Sequence, residues 1–247
     1  MKKILALLML VIGITNLNAQ GPKDIFQSCV TAMRLDKLDS VMTVSIKAYL
    51  YAQTNRTSVR YYSKDYGDPN NSDGEDVKIR LELSAQGKED VFIFADEEIF
   101  QIIPKYEEID TRNAGQLYEI MGYLMTTGIV SAIAKDTSDA AIYTLHEGTT
   151  KFNDKNCKKI SVAAKETPDE IGRYYYFDEA TNWFQGMDIP VEKRTIGVVL
   201  TNFKKAKGIV YPAVVKLLDD GKKALEIEID KFELDIALED SLFQTKK

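Results

Sequence analysis

IVYPAVVKLLDDGKKALEIEIDKFELDIAL, residues 209–238, decides the fold class. Ile209, Tyr211, Ala213, Val215 and Leu217 alternate along one run, Asp220-Gly221 follows, and Leu225, Ile227 and Ile229 alternate along the next. Period-two apolarity gives each run one dry face, and Asp-Gly supplies the two positive-φ positions of a type I′ turn, so the stretch reads as a β-hairpin. After Ile229 the parity changes, and Phe232, Leu234, Ile236 and Leu238 become the apolar positions. A one-residue slip would expose a whole apolar set, so a β-bulge is expected near Asp230-Lys231. Bulges bend strands, and a bent antiparallel sheet with one dry face encloses a hollow.

Working outward, the same period recurs through most of the chain. Met42, Val44, Ile46, Ala48 and Leu50 alternate with polar neighbours between Val41 and Tyr51, and a second strand is expected from Ser58 to Lys64. Turn residues from Asp65 to Asp76 mark a loop, after which Val77, Ile79, Leu81 and Leu83 alternate with Lys78, Arg80, Glu82 and Ser84. Strands follow at Asp90–Phe94, Ile99–Ile103, Ala141–Glu147, Asn156–Ala164, Arg173–Asp178, Trp183–Met187 and Thr195–Phe203. Close spacing and short turns mean an antiparallel meander of about ten or eleven strands. Two stretches depart from it. Pro22 to Leu38 carries Ile25, Cys29, Ala32, Met33, Leu35 and Leu38 at helical spacing. Leu117 to Ala134 has Glu119 as its only charge and apolar side chains on nearly every side, which reads as a buried helical segment broken at Gly128.

The first 19 residues have the pattern of an export signal: Lys2 and Lys3, an apolar run from Ile4 to Ile14, and a small-residue end at Leu17-Asn18-Ala19. Cleavage after Ala19 is expected, without lipidation, because Cys29 lies too far from that point to be an acyl acceptor. The remaining 228 residues, 20–247, fit one β-rich domain. Without Lys2 and Lys3 the balance is 30 basic against 38 acidic residues, a formal charge of −8, which argues against nucleic acid or an anionic membrane surface as partner. Cys29 and Cys157 are the two cysteines, and an oxidising compartment permits a disulfide between them.

Catalytic chemistry is sparse. His146 is the only histidine, there is no Gly-x-Ser-x-Gly elbow and no Walker loop, and a Cys157–His146 pair has only the residue types in its favour. One histidine and scattered carboxylates make no closed zinc site, and Glu107-Glu108 and Glu239-Asp240 read as solvated loop pairs before they read as a glycosidase pair. Tyrosines cluster at Tyr49, Tyr51, Tyr61, Tyr62 and Tyr66 and at Tyr174 to Tyr176; their first role is as strand formers.

Signal, amphipathic helix, meander, apolar insertion and further meander follow one another in an order that resembles the periplasmic outer-membrane lipoprotein-sorting proteins, the LolA-like carrier family. Asp96 to Pro104, Tyr174 to Thr181, Gly208 to Pro212 and Phe232 to Phe243 carry the resemblance, with Asp96-Glu97 standing where relatives tend to have Asp-Gly. The resemblance implies a β-rich α+β fold: an incomplete antiparallel barrel wrapped over the N-terminal helix and the apolar insertion. It also implies a non-enzymatic, cofactor-free, monomeric periplasmic carrier of lipoprotein acyl chains or another lipid, working with inner- and outer-membrane delivery proteins. The residues expected to line the cavity are Met42, Val44, Ile46, Ile79, Leu81, Leu117, Ile120 and Leu124. In the sorting carrier an arginine clamps a lid, and Arg80 is the candidate here, with Arg60 its competitor. A different class of reading keeps the scaffold as a binding module, filled by its own side chains, with a glycan or protein ligand on surface tyrosines. A hydrolase is third.

Overall fold

The computed structural model describes residues 21–66, 77–95, 98–110, 114–136 and 140–245. The expected export signal, most of the expected loop at Asp65–Asp76 and Asp96-Glu97 lie outside them. In chain order the elements are α1 (Pro22–Met33), β1 (Thr43–Ala52), β2 (Asn55–Asp65), β3 (Val77–Ala85), β4 (Lys88–Ala95), β5 (Glu98–Ile103) and β6 (Glu107–Ile109). Two helices follow, α2 (Gly115–Leu124) and α3 (Thr126–Lys135). The rest is β7 (Ala141–Leu145), β8 (Thr150–Phe152), β9 (Lys155–Ala164), β10 (Ile171–Asp178), β11 (Phe184–Val191), β12 (Arg194–Ala206), β13 (Ile209–Asp219) and β14 (Lys222–Leu234).

The C-terminal hairpin forms as its alternation requires. Asp220 and Gly221 take φ of 46° and 77°, and the register of β14 against β1 shifts between Lys231 and Ile229, leaving Asp230 as the extra residue of the bulge. All strands belong to one antiparallel sheet in the order β6-β5-β4-β3-β2-β1-β14-β13-β12-β11-β10-β9-β7, with β8 also on β9. The fourteen strands among the described residues exceed the ten or eleven expected, and two of the additional ones, β6 and β8, have three residues each, too few to show a period. Pairing of β1 with β14 joins the two ends of the domain, while β6 and β7 remain as free edges. The result is an open, curled sheet.

The first helix ends earlier than the sequence suggests, and the insertion breaks earlier. Pro22 opens α1 at a position where its missing N–H is no loss, and Asp24 Oδ2 accepts from the Gly21 N–H at 2.8 Å. Arg34 then takes φ 59° and closes the helix, so Leu35–Ser40 is a separate 3-10 turn. The insertion breaks at Met125, not at Gly128, which lies inside α3. There the Thr126 hydroxyl donates to the carbonyls of Tyr123 (2.6 Å) and Gly122 (3.3 Å), a local bond that competes with the helix and bends it. The two halves meet at 81°, and no single helix among the described residues is long and apolar enough to cross a membrane.

The dry face of the sheet is the one on which the helices lie. Phe26 of α1 is fully buried, and its ring meets Tyr143, Tyr175 and Phe177 edge-on at 5.8, 5.5 and 5.0 Å. Tyr175 and Phe177 therefore point inward, and Asp178, one residue on, points outward together with Cys157, its partner across β9. Cys29 is buried on the inner side with α1, its Sγ 3.5 Å from Met33 Sδ. Both thiols are free, so the disulfide that an oxidising compartment would permit is not formed here. The sheet stands between them. Burial pushes the Cys29 thiol up to about 12 and Cys157 up to about 11, so both are neutral.

Asp178 shows how the turn before β11 is held. Burial alone would raise its carboxyl, but Lys155 Nζ at 2.9 Å and the backbone N–H groups of Ala180 (2.8 Å) and Thr181 (3.1 Å) outweigh it, and the net shift is downward. A lowered folded-state value means stability that is fully present above the unfolded carboxylate range, about 3.9, and lost as pH falls through the folded value. Melting followed by circular dichroism should therefore show wild type losing stability below about pH 4. Asp178→Asn should melt lower at pH 7 and respond less to acid. An unchanged acid response in the variant would rule out this linkage.

Candidate functional site

The helical insertion is the part of the fold with most apolar surface to spare. It runs in sequence from β6 to β7, so it connects the two free edges of the sheet. Only Met121, Leu124 and Val130 of its apolar side chains are buried; Leu117, Ile120, Tyr123, Ile129 and Ile133 are packed on the core yet partly open, and Tyr118 is 47% exposed. Leu117 and Ile120 share one helical stripe with the buried Met121 and Leu124, at spacings of three and four residues, and yet this stripe is not closed off along its whole width.

The cavity candidates divide sharply. Val44, Ile46, Leu81 and Leu124 are within a few per cent of full burial, locked among core side chains. Ile79, Leu117 and Ile120 keep part of their surface, and Met42 is 45% exposed at the entry to β1. Ile79 pairs across to Phe94 and to Ser63, and Ser63 pairs to Val44, two residues along the chain from Met42. Phe94 in turn meets the Tyr118 ring of α2 at 5.8 Å. Sequence reasoning missed Phe94 and Tyr118, although both fall in the alternating or all-round apolar stretches that supplied the other candidates. What sets them apart is a contact between residues far apart in the chain.

Arg80 is a clamp of another kind. Its strand neighbour Leu81 faces inward, so Arg80 lies on the outer face, where Nε donates to Glu82 Oε1 at 2.7 Å and Nη1 to the Leu242 carbonyl at 3.1 Å. Lys64 and Tyr66 hold Asp240 of the same C-terminal segment at 2.6 and 3.0 Å, and Phe243 is buried against Tyr66. Burial and the Asp240 carboxylate push the Tyr66 phenol up to about 12, so it remains a donor. The expectation that Arg80 secures a lid over the interior is corrected: it secures the chain terminus on the opposite face. Arg60 is also outward, 3.6 Å from Glu82.

The catalytic alternatives gain little. His146 Nε2 lies 2.9 Å from Ser161 Oγ, but the histidine is held below its usual range, first by burial and then by the charge of Lys159. A base that must become imidazolium needs a carboxylate beside it, and His146 has a cation instead. The tyrosine triplet alternates: Tyr175 is core, while Tyr174 lies under Lys159 (3.9 Å) and Tyr176 stacks on Phe152 at 4.0 Å.

The sequence matches no family model, and no curated protein matches it. Solved structures do. A DUF1329 family protein from Desulfovibrio piger shares 14% identity over 88% of this chain and 96% of its own, with a TM-score of 0.50. A LolA superfamily protein from Nitrosomonas europaea covers 88% and 97% at 11% identity and 0.47, and an outer membrane lipoprotein-sorting protein domain from Vibrio parahaemolyticus covers 88% and 97% at 12% and 0.42. Likeness at such identities concerns the course of the backbone. The DUF1329 family protein and this chain share one overall course of the backbone, here an open, curled antiparallel sheet whose first and last strands pair and whose free edges are joined in sequence by helices, and the likeness concerns the fold alone.

Proposed function

We propose that the protein is an exported, non-enzymatic carrier that shelters an acyl chain, of a lipoprotein or of another amphiphile, against the α2–α3 insertion and the dry face of the sheet. The observation that carries this reading is the apolar surface of the insertion that packing leaves partly open at Leu117, Tyr118 and Ile120, with the Tyr118 ring against Phe94, the strand partner of Ile79. Each methylene moved out of water contributes about 0.8 kcal/mol, so a chain of about a dozen carbons supplies several kcal/mol before the costs of ordering it. The export pattern of residues 1–19 fits a cargo that has to cross an aqueous space between membranes. Delivery proteins at either membrane belong to the same reading.

Ile120 and Leu124 make the test. Ile120→Asn, on the partly open face, should weaken displacement of a fluorescent fatty acid about tenfold, the equivalent of about 1.4 kcal/mol, while the protein still melts cooperatively. Leu124→Asn should instead unfold the protein or nearly so, since it loses core packing and buries an unpaired amide, together roughly 3 kcal/mol or more. Native mass spectrometry of freshly purified wild type should show bound lipid. A wild type that takes up no fatty acid and carries no lipid, with Ile120→Asn as destabilising as Leu124→Asn, removes the carrier and leaves the binding module.

A further inference from the structure

The outer face carries a feature that the acyl-chain reading does not use. Val59 and Tyr61 of β2 are buried on the dry side, so Arg56, Ser58 and Arg60 alternate onto the other. Register places Ser58 opposite Ser84 and Ser84 opposite Glu89, and the tight Gln86-Gly87 turn, with φ of 50° and 78°, brings Lys88 back beside them. The six side chains line a cavity of about 430 Å³ with backbone of the turn as its remaining wall. Three cations face one carboxylate there, in a chain whose formal charge is −6.

These donors are uncommitted. Among the described residues Arg56, Lys88, Ser58 and Ser84 make no side-chain hydrogen bond or ion pair, and Arg60 has only the 3.6 Å approach to Glu82, a carboxylate that Arg80 already holds at 2.7 Å. Arg56 is nevertheless fixed in place. Its guanidinium carbon stands 3.8 Å over the Tyr49 ring and 5.9 Å from that of Tyr51, which orients the plane of the group and leaves its N–H edge to donate.

We propose that this pocket binds a phosphate ester. Two guanidinium forks, an ammonium and two hydroxyls present donors on several sides, which suits an anion with three or more acceptor oxygens; a carboxylate, with two, would leave most of them unmatched. Glu89 is acceptor-only and matches a hydroxyl on the ester's organic part. The cavity has room for that part as well as the phosphate, so a glycerol or sugar phosphate is the class of ligand, either free in solution or as a lipid headgroup.

Calorimetric titration of the full exported chain with glycerol 3-phosphate and with inorganic phosphate tests the free ligand. Flotation with phosphatidylcholine vesicles containing phosphatidic acid tests the headgroup. Binding is expected in at least one arm, tighter for glycerol 3-phosphate than for inorganic phosphate, and weakening as salt is added. Arg56→Gln and Arg60→Gln should each reduce it about tenfold. Lys88→Gln, at an exposed position next to the turn, should reduce it about threefold with the melting curve unchanged, which covers the case of an arginine variant that fails to fold. Lys151→Gln/Lys193→Gln removes two positive charges outside the pocket and should leave binding within about twofold. No binding in either arm, full binding by the folded pocket variants, or an equal loss in the Lys151/Lys193 control overturns the proposal.

Discussion

Gly186→Ala is expected to lower stability by at least about 3 kcal/mol, among the largest effects of any single methyl group in this chain. Gly186 lies in β11 between Tyr176 of β10 and Val199 of β12, with φ 145°, a backbone conformation that side-chain-bearing residues avoid. A Cβ there would stand 2.0 Å from the Val198 carbonyl oxygen and 3.0 Å from two ring carbons of Phe152. The carbonyl belongs to the β11–β12 ladder and has no freedom to retreat. Phe152 is stacked on Tyr176 and is held from its other side. A fall in melting temperature of about 6–12 °C corresponds to that loss in a domain of this size. Adding Phe152→Ala relieves the ring contact only, so it should not rescue the variant. Gly122→Ala is the control: nothing lies within 4 Å of that Cβ in α2, and alanine is the better helix former by about 1 kcal/mol, so no loss is expected. A Gly186→Ala protein as stable as wild type would mean that the close approach of the two strands is not as described.

Phe26→Ala should cost about 3–5 kcal/mol. Phe26 is entirely buried, and its ring meets rings of both β7 and β10. Removing it leaves a void bordered by three aromatic edges that cannot collapse without moving the sheet. Because α1 also carries Ile25, Cys29, Val30 and Met33 into the same core, the loss should appear as one lowered, still cooperative transition in calorimetry. Phe26→Leu, which keeps most of the volume, should recover more than half of it. A change below about 1 kcal/mol for alanine would show that the helix is not seated by this ring.

Neither of these residues is conspicuous in the sequence. Glycine inside the alternating Trp183–Met187 run is compatible with a bulge, a bend or a close contact, and only the register of β11 on β12 says which. Phe26 falls beside Ile25 on the apolar stripe of a short helix, and nothing local says that rings from β7 and β10 converge on it. The outer pocket is similar: Arg56, Ser58 and Arg60 have the polar half of a strand's alternation, and it takes the pairing with β3 and β4 to bring Ser84, Lys88 and Glu89 around them.

What the sequence determined by itself is everything that local stereochemistry imposes. Alternation set the strands, Asp220-Gly221 set the last hairpin, and the parity change after Ile229 located the bulge at Asp230, because each depends on a few consecutive residues. The apolar all-round composition of Leu117 to Ala134 likewise marked the insertion, though the Thr126 hydroxyl moved its break to Met125. Tertiary structure alone decided which apolar residues are spent on the core, as with Val44 and Leu81, and which remain partly open, as with Met42 and Ile120. It also placed Cys29 and Cys157 on opposite faces and turned Arg80 toward the chain terminus. The physical reason is that burial and partnership are properties of long-range pairing. A core leucine and a site-lining isoleucine have the same hydrophobicity, and curling of the sheet, closed by β1 on β14 and left open between β6 and β7, is what distinguishes them.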